Sequence, residues 1–208
     1  MGNHKMGAIS AVMEVRQTSL TKYLRTLIDL DILERQVPIT EENPEKCKRG
    51  LYRIKDNFID FWFKFVYPQR SLIEIGQMGQ AVQKIREGFI SRHVSGVYED
   101  VCRQRLWQFA AEGALPCSFN KAGRWWDNRL EIDIVALDSS GKDIIFGECK
   151  YVSEPMDIDV YYRLLEKKKA VLWNQAARHE YFVFFSINGY TGRMNDLAAE
   201  KENIFLFQ

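Results

Sequence analysis

The 208-residue sequence has no run of eighteen or more apolar residues, and its first ten residues lack the basic start and continuous apolar stretch of an export signal. Membrane insertion and secretion are not expected, and the cytoplasm is the default location. The four cysteines, Cys47, Cys102, Cys117 and Cys149, lie far apart without a CxxC pair, so neither a zinc cluster nor a disulfide framework is suggested. Histidine is scarce: His4, His93 and His179 show no ligand or triad spacing. No charge dominates either, since 29 Lys and Arg face 28 Asp and Glu. A wholesale polycation is excluded, and any nucleic-acid surface has to be local.

Hydrophobic residues make up 46% of the chain, enough for one large core or two small ones. Residues 1–55 carry ten basic and seven acidic side chains, whereas 130–208 carry nine and thirteen. In the basic front, Lys46, Lys48, Arg49, Arg53 and Lys55 run without an acid between them, after the turn formers Asn43 and Pro44. Two readings fit this run: a surface for backbone phosphates, or a solvated loop kept soluble by its charges.

The spacing up to Lys55 predicts helix, helix, strand, charged loop, strand. Ala8 to Arg16 form a short helix, and Ser19 is placed to cap a second with Leu20, Tyr23, Leu24, Leu27 and Ile28 on its apolar side. Thr21, Lys22 and Arg25 occupy the opposite face. Ile32–Val37 and Leu51–Ile54 are strand candidates flanking the basic loop, the order of a winged helix-turn-helix whose second helix reads DNA and whose loop is the wing. A helix normally precedes such a pair, yet only seven residues precede Ala8, so the domain reads as truncated at its start. Residues 56–81 form a linker segment, with Phe58, Phe61, Trp62, Phe65 and Val66 at helical spacing, Asp56 as cap and Pro68 as stop. Such a stripe reads as packing surface.

Residues 82–208 form the remaining domain. A long helix is expected from Val82 to Ala111, interrupted on its apolar side by Glu99 and Asp100. Ala114 to Trp126 gives a first strand, followed by a hairpin of Leu130–Leu137 and Ile144–Tyr151 about a Ser- and Gly-containing turn. If Leu137 and Ile144 close the hairpin, antiparallel partners have numbers summing to 281, and Asp133 then faces Glu148 with β-carbons about 5 Å apart. Lys150 follows on the same face, and Cys149 points into the core. Two opposed carboxylates repel unless a proton or a cation lies between them, and a hard divalent ion such as Mg²⁺ suits them. The same register offers a second pairing, Glu131 with Lys150, as an ordinary cross-strand ion pair. Against that stands the apolar company of Ile144 and Phe146 on the shared face. Arg124, Trp125, Trp126 and Arg129 precede the Asp133 strand, where they either contact nucleic acid or, for the tryptophans, pack the sheet. The run Lys167–Lys169 reads as a solvated helix face.

Asp133 in EIDIV, followed by Glu148 and Lys150 in GECK, resembles the PD-(D/E)XK nuclease superfamily, with its core of helix, three strands, helix and strand. RQTSLTKYLRTL, RGLYRIKDNFIDFWFKFVYP, GRWWDNRLEIDIVAL and GECKY together resemble the carboxy-terminal module of archaeal-type ATPases, in which a nucleotide-binding domain precedes a winged helix and a nuclease-like domain. No GxxxxGK[ST] phosphate loop occurs here. The resemblance implies an α/β fold, a restriction-endonuclease-like mixed sheet flanked by helices after a truncated winged helix-turn-helix. It further implies Mg²⁺ or Mn²⁺ held by Asp133, Glu148 and the Cys149 carbonyl, Lys150 as catalytic lysine and Glu99, or Asp100 beside it, as supporting acid. Ile132 replaces the usual proline. DNA is the implied partner, through Thr21, Lys22, Arg25, Lys46, Lys48, Arg49, Arg124 and Trp125. An ATPase domain, another chain or a second copy is a further implied partner. Members of the superfamily that keep the fold without cleaving leave a DNA-binding regulator or a docking module as alternatives.

Overall fold

The computed structural model describes residues 4–208, which form two units. One comprises the chain up to Val37 together with Asn43–His93, and the other Pro38–Glu42 with Val94–Gln208.

In the first unit α1 (Met6–Val12) leads to α2 (Gln17–Asp29), then to β1 (Leu33–Gln36) and β2 (Leu51–Ile54), which pair antiparallel with Leu33 opposite Ile54. α2 starts three residues earlier than a Ser19 cap predicts, with Arg16 at the cap position. The Ser19 amide already bonds the Arg16 carbonyl at 3.0 Å, which puts Ser19 inside the first turn instead of at its cap. Leu20 and Leu24, one turn apart, are its buried residues.

Asp56 caps α3 (Asn57–Phe61) by accepting the Ile59 amide at 2.8 Å, as its position suggests. Pro68 does not stop the chain. It lies in a 3-10 turn, Tyr67–Gln69, where a missing amide costs little, and helical structure resumes in α4 (Arg70–Glu74). Only part of the aromatic stripe is buried: Phe61 and Phe65 meet Phe89 and His93, while Phe58 is 68% exposed. Asp60 is buried with Lys64 at 2.7 Å and His93 at 3.0 Å.

The expected helix over 82–111 is broken. α5 (Met78–Arg86) ends before Gly88, whose φ of +80° is accessible mainly to glycine, and α6 (Ser95–Ala111) begins after a π-helical turn at Ile90–Val94. The boundary between the units falls at that turn, later than the break at 82 read from the sequence.

The second unit is a five-stranded mixed sheet in the order β3 (Lys121–Trp126), β4 (Glu131–Leu137), β5 (Asp143–Lys150), β6 (His179–Ser186), β7 (Ile204–Phe207). The first three run antiparallel, and β6 and β7 are parallel to β5, reached through α7 (Asp159–Lys168) and α8 (Gly192–Glu200). Near-continuous burial of β4, β5 and β6 reflects helices on both faces. Val160, Tyr161, Leu164, Met194 and Leu197 of α7 and α8 pack with Val135, Ile144, Phe146, Phe182 and Phe184. On the opposite face Cys102 and Leu106 of α6 pack with Ile134, Ile145, Cys149 and Val183. Fully burying a side chain such as Phe146 or Leu164 contributes about 1.5–3 kcal/mol. β3 is shorter than the sequence suggests, beginning at Lys121, and its pairing shifts register between Gly123 and Trp125, where β4 carries one extra residue.

Candidate functional site

Leu137 pairs with Ile144, Val135 with Phe146 and Ile134 with Gly147, the register expected from the hairpin turn. The paired register ends at Ile134, so the expected pairing of Asp133 opposite Glu148 does not form, and the Cys149 amide donates instead to Asp133 Oδ2 at 2.9 Å. One side-chain acceptor thus replaces a ladder carbonyl and fixes the Asp133 carboxylate at the opening of the hairpin. The Cys149 thiol is buried in the α6 core, as the alternation predicts. Glu148, on the other face, is 3% exposed, with Lys150 Nζ 3.8 Å from Oε2 and Lys167 Nζ 2.5 Å from Oε1.

α6 approaches from the other face and brings Glu99 to Asp133. Glu99, Glu131 and Asp133 each offer an oxygen within 4.8 Å of the others. Arg103, one turn beyond Glu99, donates to the Asp133 carbonyl at 2.9 Å and to the Asp100 carboxylate. Asp100, the alternative to Glu99 as supporting acid, is therefore turned to Arg103.

Arg124 hydrogen-bonds Glu131 and places Nε 3.8 Å from Glu99 Oε2. The alternative ion pair between Glu131 and Lys150 is thus not the arrangement formed: each has a different partner. Glu131 escaped the sequence reading as a site residue although it stands two residues from Asp133, the spacing of a shared strand face.

Burial and the charge on Asp133 push the Glu99 carboxyl up to about 7, against the opposing pull of Arg124 and Arg103. Burial first and Asp133 second also raise Glu148, against the pull of Lys167 and Lys150. Carboxyls that resist ionisation because they are desolvated and crowd one another form a donor set suited to a hard divalent cation, which would relieve the repulsion through oxygen ligands. The charge of Asp133 acts on both Glu99 and Glu148.

Of the residues expected at a DNA surface, Trp125 is corrected: it is 3% exposed and belongs to the sheet core, leaving no face on which a base could stack. Arg124 faces the acids. Thr21, Lys22 and Arg25 are exposed on one side of α2, Lys46 and Lys48 are exposed between β1 and β2, and Arg49 is half-buried. These six lie in the first unit, whereas the acids lie in the second.

A family described as archaeal and bacterial proteins of unknown function, DUF234, matches residues 62–171, from the aromatic segment to just beyond α7. The chain belongs to this family. An uncharacterized protein of Methanocaldococcus jannaschii, MJECL04, is 36% identical over 172 residues, covering 82% of this chain and 38% of that protein. The chain therefore spans under two fifths of the length of this relative. No solved structure matches. The DUF234 match includes Glu99, Asp133, Glu148, Lys150 and Lys167, the whole acidic site with its lysines.

Proposed function

We propose that this DUF234 chain is a metal-dependent nuclease module that hydrolyses phosphodiester bonds in DNA, on a PD-(D/E)XK-like core preceded by a winged helix-turn-helix. We further propose that it forms the carboxy-terminal part of an archaeal-type ATPase. The observation that carries the reading is the clustering of Glu99, Glu131 and Asp133 oxygens within 4.8 Å of one another where the β4–β5 pairing ends, with Lys150 3.8 Å from the neighbouring Glu148 of β5.

Asp133, Glu148 and the Cys149 carbonyl would hold Mg²⁺ or Mn²⁺, with Glu99 and Glu131 as outer acids. Such an ion, when bound, supplies a water acidified enough to attack phosphorus and offsets the added negative charge. Asp133 is oriented by the Cys149 amide, so its oxygens are fixed before substrate arrives. Arg103 holds the strand at the Asp133 carbonyl and ties it to α6. Lys150, whose side chain is 37% exposed, retains a solvent-accessible ammonium able to donate to the attacking water or to a phosphate oxygen. Thr21, Lys22 and Arg25 of α2, with Lys46, Lys48 and Arg49 of the loop, suit backbone and groove contacts in the manner of a reading helix and wing.

A second reading, a non-cleaving DNA-binding or docking module, draws on one observation. Arg103, Arg124, Lys150 and Lys167 already stand against the four acids, so charge balance does not require a metal. The test is incubation with supercoiled, linear, branched and single-stranded DNA in Mg²⁺, Mn²⁺ or chelator. Metal-dependent cleavage lost in both Asp133→Ala and Lys150→Ala, with DNA binding kept, is the expected result. Binding without cleavage on every substrate, or cleavage unchanged in the variants, would move the assignment to the second reading.

A further inference from the structure

The Lys167–Lys169 run makes three different ion pairs. Lys168 is bound to Glu180 and Lys169 to Glu166, both away from the acidic site. Lys167 alone reaches it, and its 2.5 Å contact with Glu148 Oε1 is closer than the 3.8 Å approach of Lys150 to Oε2. Lys167 follows Val160 and Leu164 at seven and three residues, so the face that seats α7 on the sheet also aims this lysine at Glu148.

The two partners differ in freedom. Glu148 stands on a strand paired to β6 opposite Phe184, and its side chain is 4% exposed, so the carboxylate has little room to turn. The Lys167 side chain is 26% exposed and carries its ammonium on a flexible four-carbon stem near the end of α7. Asp133 differs again, because its partner is a backbone amide fixed in β5. Any cation that takes Glu148 Oε1 as a ligand has to displace Lys167, whereas nothing mobile has to leave Asp133.

We propose that Lys167 is an internal counter-cation that occupies Glu148 until a divalent ion replaces it, and so sets the metal concentration at which the site fills. This rests on the metal reading above and deepens it. Lys167 is a positioning residue, exchanging with the metal at one oxygen and touching no substrate.

The experiment is calorimetric titration of the full chain with Mn²⁺ at about pH 8, with unfolding midpoints recorded for every variant. Removing a unit charge a few Å from the cation is expected to tighten the Mn²⁺ dissociation constant about tenfold in Lys167→Met. Lys167→Arg keeps the charge and is expected to stay within about twofold of the original chain, as is Lys168→Met, whose ammonium serves Glu180. Lys167→Gln provides the same charge removal with a polar side chain should the Met variant unfold. Unchanged or weaker binding in folded Lys167→Met or Lys167→Gln, while the original chain binds, overturns this inference alone. Binding by none of them, or binding that survives Asp133→Ala, overturns it together with the metal reading.

Discussion

Replacing Glu99 with Gln removes a carboxyl that burial and the Asp133 charge push up to about 7, from an ordinary value of 4.5. The folded chain therefore keeps this proton to a higher pH than the unfolded chain does. The associated stability is present in full below about 4.5 and is lost as pH rises to about 7. At 1.36 kcal/mol per pH unit, the loss above that range reaches about 3 kcal/mol. Gln resembles the neutral carboxyl in shape and bonding, so Glu99→Gln and the original chain should match near pH 4.5 and separate as pH rises. By about pH 8 the variant is expected to be the more stable by up to about 3 kcal/mol. Urea unfolding with a chelator present, at a series of pH values between the two limits, measures the separation. Adding Mg²⁺ should narrow the gap at high pH, because the chain that retains the outer acid Glu99 binds the cation more tightly than the variant and gains more from it. A stability difference that does not vary with pH, or a less stable variant at about pH 8, would refute the account of Glu99 as a carboxyl held against repulsion.

Two further outcomes test other parts of the molecule. A β-carbon at Gly147 would lie 2.6 Å from Val183 Cγ2 and 3.0 Å from Ile134 Cβ, so Gly147→Ala should lower stability by about 1–3 kcal/mol in thermal unfolding. Substituting both Lys46 and Lys48 by Ala should reduce the slope of log DNA affinity against log salt by about 2, one for each phosphate no longer neutralised. An unchanged slope in a filter-binding or anisotropy series would remove the loop from the DNA surface.

The β4–β5 hairpin was legible because its information is local. Alternation fixes which residues share a face, and the Asp138–Asp143 turn fixes which pair closes it, so Leu137 opposite Ile144 follows from a few neighbours in sequence. The helix starts and breaks were less legible: Gln17 and Thr18 entered α2 ahead of the better capping residue Ser19, and Gly88 interrupted a pattern that otherwise read as continuous. Least legible were the ion-pair partners. Nothing near Arg124 in sequence says that it will meet Glu99 and Glu131 instead of a phosphate, because that depends on how α6 seats against the sheet. Trp125 was ambiguous because its pairing with β4 shifts register after Gly123, an extra β4 residue accompanying its burial while Arg124 stays at the acids. Lys167 is the instructive intermediate. A triple-lysine run looks like a solvated face, yet counting seven residues from Val160 and three from Leu164 places its first lysine toward the sheet. The same count leaves open which acid it finds. Helical periodicity supplies a direction, and only the packed helix–sheet distance turns that direction into a contact with Glu148.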